Sequence, residues 1–89
     1  MEIDYTVQIW REGRQYIAHA MPLEVASSGT TPQAARAALD EAVKVFIQTA
    51  EQQGTLSKVL EDAGYSYDGS NWKGPDWICF EKHSTPVAA

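Results

Sequence analysis

The acidic side chains of this 89-residue sequence could support nuclease chemistry, which needs several carboxylates around two metal ions about 3.5–4 Å apart. Such a site would place an acid inside the first strand. Residues 5–10, the first strand-like run, contain no acid, and Asp4 precedes them. Asp40 and Glu41 lie in a helical pattern, where a solvated face accounts for them. The sequence therefore predicts no catalytic carboxylate set and favours a protein that is not an enzyme.

The two histidines and the single cysteine are the other residues that could bind a metal or act in nucleophilic catalysis. Cys79 and His83 are four residues apart in a strand-like segment, which separates their Cα atoms by about 13 Å. Fewer than three convergent ligands are visible, and neither His83 nor His19 lies beside a nucleophile motif. We therefore expect no metal, no cofactor and no catalytic residue. A lone cysteine also excludes an intramolecular disulfide, so a reducing cytoplasm is the expected compartment.

Acids outnumber bases by twelve to seven, which gives a net charge of −5, and eight of the acids but only four of the bases follow residue 36. Nucleic-acid affinity comes mainly from Lys and Arg that neutralise phosphates, so direct nucleic-acid binding is not expected. A basic protein partner would suit this charge, because opposite charges steer association. The alternative is that the charge only keeps a small protein soluble.

Three tryptophans are many for so short a chain. Core and sheet packing is the simplest interpretation, but Trp is also enriched at the energetic centres of interfaces. The candidate partner-binding residues combine two of these tryptophans with acids from the second half of the chain. For those acids the alternative is simple solvation. The candidates are Trp72, Trp77, Glu61, Asp62, Asp68 and Asp76.

The elements that would position these residues begin with a hairpin. Tyr5–Trp10 alternates apolar and polar residues, which is typical of a half-buried strand. Gln15–Ala20 is the return strand, whose buried face the pattern leaves open, and Pro22 should end it. Leu23–Ser27 could form a third strand. The same alternation from the first residue argues against a secretory signal, and no apolar run is long enough for a membrane span.

A long helix follows. Thr31 can cap its N-terminus, Pro32 fits its first position, and Gly54 is the natural stop, which predicts a helix from Pro32 to Gln53. Its expected apolar stripe is Ala35, Ala38, Leu39, Ala42, Val45, Phe46 and Ala50. A second short helix through Leu56–Ala63 and a strand over Trp77–Lys82 complete the prediction. The fold class is α+β: a sheet with one long helix on one face, in a single domain of residues 1–83 with a frayed tail, residues 84–89.

Three pieces of sequence carry a family resemblance. They are the Tyr-x-Val-x-Ile start, the second strand that runs from Tyr16 to Pro22, and Gly29-x-Thr31-Pro-x-Ala34-Ala35 opening an alanine-rich helix that ends Glu-Gln-Gln-Gly54. In this order and spacing the sequence resembles the HicB-like antitoxin family over about residues 3–54. The segment 56–81 also looks like the end of small family members.

The resemblance implies a partial ribonuclease-H-like fold, β-β-β-α-β, without nuclease activity. It also implies a partner, a small basic RNA-cleaving toxin that the protein would bind and neutralise. The resemblance does not extend to the C-terminal DNA-binding module of many members, since only seven residues follow Lys82. Small members tend to self-associate, and we expect a homodimer with Trp77–Lys82 or the N-terminal hairpin at the contact. The alternative is an orphan domain of the same fold that binds another protein or a small ligand.

Overall fold

The computed structural model describes residues 1–88 and confirms the mixed α+β class, with a three-stranded sheet, two helices and a small second sheet. The first sheet is antiparallel in the order β1-β2-β3, and the second pairs β4 with β5. The elements in chain order are β1 (Thr6–Glu12), β2 (Gln15–Met21), β3 (Val25–Gly29), α1 (Pro32–Gln52), α2 (Leu56–Ala63), β4 (Ser66–Tyr67) and β5 (Trp72–Lys73).

The register of the sheet shows which face the helix covers. Ala18 lies opposite Ile9 on β1 and opposite Ser27 on β3, and it is fully buried, as is Ala20. The face of β2 that the sequence left open is therefore the alanine face. These small side chains let α1 lie close to the sheet, and at Gly29 a Cβ would come within 2.6 Å of the backbone nitrogen of Ala35. The helix packs mainly on β3 and β2 and only marginally on β1.

Helix α1 begins and ends as the sequence predicts, to within one residue. The Ala34 backbone N–H donates to Thr31 Oγ1 at 3.0 Å, which caps the N-terminus. The buried positions are Ala35, Leu39, Val43 and Ala50, while Phe46 is partly buried against the same core.

The prediction that Val45 belongs to this stripe is wrong, because its side chain is 52% exposed. At about 100° per residue, Val45 lies about 120° around the helix from Leu39, whereas Val43 lies only about 40° away. The true stripe therefore runs through Val43, which the sequence analysis omitted.

The small second sheet is attached to the N-terminal residues. Residue Trp72 forms a parallel bridge with Ile3: the Trp72 N–H donates to the Glu2 carbonyl at 2.9 Å, and the Asp4 N–H donates to the Trp72 carbonyl at 3.2 Å. The Tyr65 hydroxyl donates to the Asp4 carbonyl at 2.6 Å. Leu60, Tyr65 and Trp72 thereby extend the core beneath α1.

The predicted strand over Trp77–Lys82 is wrong, because residues 74–88 contain no helix or strand. At Gly74 the N–H donates to Asp4 Oδ1 at 2.6 Å, and a Cβ there would lie only 3.1 Å from Pro22 Cδ, so the chain turns away from the sheet. The predicted frayed tail is likewise irregular through residue 88, and Ala89 lies outside the described residues. Across residues 1–88, the helices are all too short or too polar to span a bilayer.

Candidate interaction surface

The four acidic residues that were predicted to contact a partner all lie in the second half of the chain. Glu61 and Asp62 are on α2, Asp68 is in the turn between β4 and β5, and Asp76 follows β5. All four are exposed, and no hydrogen bond or ion pair within residues 1–88 joins them to one another. They share one part of the chain without forming a closed site.

Two of these acids have lysine neighbours that reduce the charge they offer to a partner. Asp62 lies 3.2 Å from Lys58 one helical turn earlier, and Asp68 lies 3.7 Å from Lys73. Exposed pairs of this kind contribute little to stability. Glu61 and Asp76 form no ion pair with any of residues 1–88, so they carry the more available negative charge.

Asp68 has a structural role in its turn. Its Oδ1 accepts the backbone N–H of Asn71 at 2.7 Å and that of Ser70 at 2.9 Å. These two hydrogen bonds, with a smaller effect of Lys73, hold the pKa of the Asp68 carboxyl below its usual value. The charged carboxylate therefore stabilises the turn that directly precedes the buried Trp72.

The two candidate tryptophans have different environments. Trp72 is only 7% exposed, and its ring packs 5.0 Å from that of Tyr67, so the packing interpretation describes this residue and a partner would reach little of its ring. Trp77 is 41% exposed, with its ring 5.8 Å from that of Phe80. Trp10, on the sheet face opposite α1, is 38% exposed. Of the two predicted anchors, Trp77 is the one presented to solvent.

Two further apolar side chains beside Trp77, which were not among the predicted contacts, are exposed. Ile78 is 91% exposed and Phe80 is 59% exposed. Residues 76–82, which we name the C-terminal segment, therefore present an apolar surface that the rest of the chain does not cover. The break at Gly74-Pro75 just before an apolar run was the signal that could have revealed it.

The segment also carries a small polar cluster. The Glu81 carboxylate lies 2.7 Å from His83 Nε2 and 3.4 Å from Cys79 Sγ. The hydrogen bond with His83, followed by that from Cys79, holds the pKa of Glu81 below its usual value. Cys79 is exposed, so it is accessible to thiol reagents.

An open groove of about 660 Å³ lies between the N-terminal residues, α1 and α2, and no sequence pattern had indicated it. At its edge the Tyr5 hydroxyl donates to Asp40 Oδ1 at 2.6 Å. Burial, followed by the hydrogen bond and charge of Asp40, raises the pKa of Tyr5 to about 12. The apolar walls are Met1, Ile3, Tyr5, Val43, Ile47 and Leu56, and the polar rim is Asp40, Lys44, Gln48 and Glu51.

Within residues 1–88, no group of three or more His, Cys, Asp or Glu side chains is placed to hold a metal ion. The exposed features of the described residues are an apolar segment, an open apolar groove and dispersed acids. Comparisons of the chain with protein-family models, curated proteins and solved structures give no match.

Proposed function

We propose that this protein is a non-catalytic interaction module of the HicB-like type, an antitoxin that binds and neutralises a small basic RNA-cleaving toxin. One observation carries the proposal: an acidic chain of net charge −5 presents the large aromatic side chain of Trp77, 41% exposed, to solvent. Exposed apolar groups of this kind typically mark interaction sites. The sequence resemblance over residues 3–54 supplies the class of partner.

In this proposal the acidic side chains steer the encounter and the aromatic side chain holds the complex. Glu61 and Asp76 attract a basic surface at long range, while Asp62 and Asp68 contribute less because of their lysine neighbours. Trp77 then supplies the large apolar contact that dominates many interfaces. Neutralisation follows because the antitoxin covers the surface with which a basic ribonuclease binds RNA.

Three further properties belong to the same proposal. The protein does not contact nucleic acid directly, since its bases are few and scattered along the sequence. It acts in the cytoplasm, where its single exposed thiol, Cys79, stays reduced. It also self-associates as a homodimer, which would protect the edge strands of its small sheet.

A second candidate is an orphan domain of the same fold that binds a small ligand or a different protein. The groove beside α1 favours it, because a volume of about 660 Å³ falls within the range of about 300–1,000 Å³ typical of ligand sites. The groove is open along its length and lined mainly by apolar side chains, so it offers a small ligand few orienting polar groups.

The test is to look for a small basic protein encoded next to this chain and to co-express the two. We expect rescue of growth and a co-purifying complex. Trp77→Ala should weaken the complex about 30-fold or more, which corresponds to the loss of one central aromatic contact of about 2 kcal/mol. Trp10→Ala is the matched control, since Trp10 has a similar exposed fraction, 38% against 41%, but lies on the sheet. An absent or non-toxic neighbour, or a toxic one that never associates, contradicts the proposal.

A further inference from the structure

The C-terminal segment projects from the body of the protein with its backbone unpaired. Residues 76–82 form no backbone–backbone hydrogen bond within the described chain, and Ile78 is 91% exposed. The radius of gyration is 15.5 Å, against about 12 Å for a compact domain of this length. An exposed, extended apolar segment of this kind lacks the partner that would bury it.

The sheet offers a complementary free edge. Because the strand order is β1-β2-β3, one side of β1 has no neighbouring strand in the sheet. Because α1 lies mainly over β3 and β2, the residues that lead into β1 keep an open helix-facing side, and Ile3 and Tyr5 line the apolar groove there. A strand added beside β1 would hydrogen-bond its backbone and place alternate side chains against the groove.

We propose that the C-terminal segment of a second copy of this chain adds as a strand to the free edge of β1, with Ile78 and Phe80 in the groove. The period of two in a strand puts these two side chains on one face and Trp77 and Cys79 on the other. Each copy donates a segment and receives one, as a two-fold symmetric dimer requires. The inference rests on the proposed self-association and is independent of the toxin partner, because Trp77 faces away from the groove.

Two features favour a second copy over the chain's own segment. First, the contacts of Gly74 with Asp4 and Pro22 direct the chain away from its own sheet. Second, two exchanged seven-residue segments would bury on the order of 1,200–1,600 Å² in total, as specific interfaces do.

The first experiment measures mass by light scattering across micromolar concentrations. We expect the wild-type protein to have twice the 9.8 kDa mass of one chain, and Ile78→Asp to be monomeric with an unchanged circular dichroism spectrum. Val87→Asp is the matched control, since Val87 is 89% exposed but lies outside the segment, and it should remain dimeric. A monomeric wild type at high micromolar concentration, or a dimeric Ile78→Asp variant, overturns the inference.

The second experiment locates the edge with the single native thiol. A chain that carries Gln8→Cys and Cys79→Ser is mixed with a tagged wild-type chain and treated with a short bismaleimide. Gln8 is exposed on the outer face of β1, so we expect a mixed-mass conjugate between its introduced cysteine and Cys79 of the other chain. Ser28→Cys, on the same face of the opposite edge strand, should give at least tenfold less conjugate. Preferential conjugation through position 28 refutes this inference while leaving the proposed self-association intact.

Discussion

Replacement of Leu39 by alanine tests whether the core is centred where α1 meets the sheet. Leu39 is fully buried and is one of the two largest side chains with no exposed surface. Leu39 belongs to one core cluster with the fully buried Ala18, Ala20 and Ala35. Alanine side chains have no rotatable bond with which to move into the space that a shortened side chain would leave.

The expected cost follows from this geometry. A Leu→Ala change in a rigid core costs about 2–5 kcal/mol, and the upper half of that range applies where the site cannot collapse. We expect about 3–4 kcal/mol. A domain of this size has a total free energy of unfolding of about 5–10 kcal/mol, so the variant should lose a third or more of its stability. In thermal unfolding the change corresponds to a decrease in Tm of at least about 12 °C.

The assay is urea unfolding followed by far-UV circular dichroism, with the slope of the transition checked for constancy. Val45→Ala on the same helix is the control: its side chain is 52% exposed, and we expect a change below about 0.5 kcal/mol. A Leu39→Ala cost below about 1 kcal/mol, or a Val45→Ala cost as large as that of Leu39→Ala, would refute the placement of α1 on the sheet.

Three further changes test the contacts that shape the fold. Gly29→Ala should destabilise the protein by at least about 2 kcal/mol in the same assay, because its Cβ would lie 2.6 Å from the Ala35 backbone nitrogen; a neutral result contradicts the close approach of β3 and α1. Thr31→Ala should cost about 1 kcal/mol by removing the helix cap, whereas Thr31→Ser should restore it. Burial, followed by the charges of Asp4 and Tyr5, raises the pKa of Tyr65 to about 12. Because the unfolded tyrosine loses its proton near pH 10, stability should fall between about pH 10 and 12, by at most about 1.4 kcal/mol per pH unit and less where solvent screens the hydroxyl. Tyr65→Phe should flatten that dependence, and an unchanged slope would exclude this cause.

The sequence predicted the regular first half of the chain well because local signals there agree with the tertiary structure. Alternation in β1, the proline after β2 and the Thr31-Pro32 start of α1 each have a local physical cause. The error at Val45 arose because a stripe of small alanines is compatible with more than one helix face. Only packing against the sheet selects the face that carries Val43.

The second half was harder to predict because its structure depends on distant contacts. The bridge between Ile3 and Trp72 joins residues that are far apart in the sequence, so no local pattern indicates that Trp72 is buried. Residues 77–82 have the composition of a strand, yet the three-stranded sheet has no strand beside them. Composition favours a strand, but a neighbouring strand must be present before the segment can form one. The Gly74-Pro75 break was the one local hint that this segment leaves the sheet, and the folded chain shows the exposed apolar surface around Ile78.

Calorimetric titration of the full chain with a candidate toxin, a small basic protein encoded beside it, is the decisive test of the proposed antitoxin role when it is repeated over a salt series. We expect a Kd below about 1 μM, a binding free energy beyond about −8 kcal/mol, and inhibition of RNA cleavage at saturation. The Kd should increase as salt rises, because the acidic side chains are screened. No binding at high micromolar concentrations, or a complex that still cleaves RNA at the rate of the free toxin, would contradict the account.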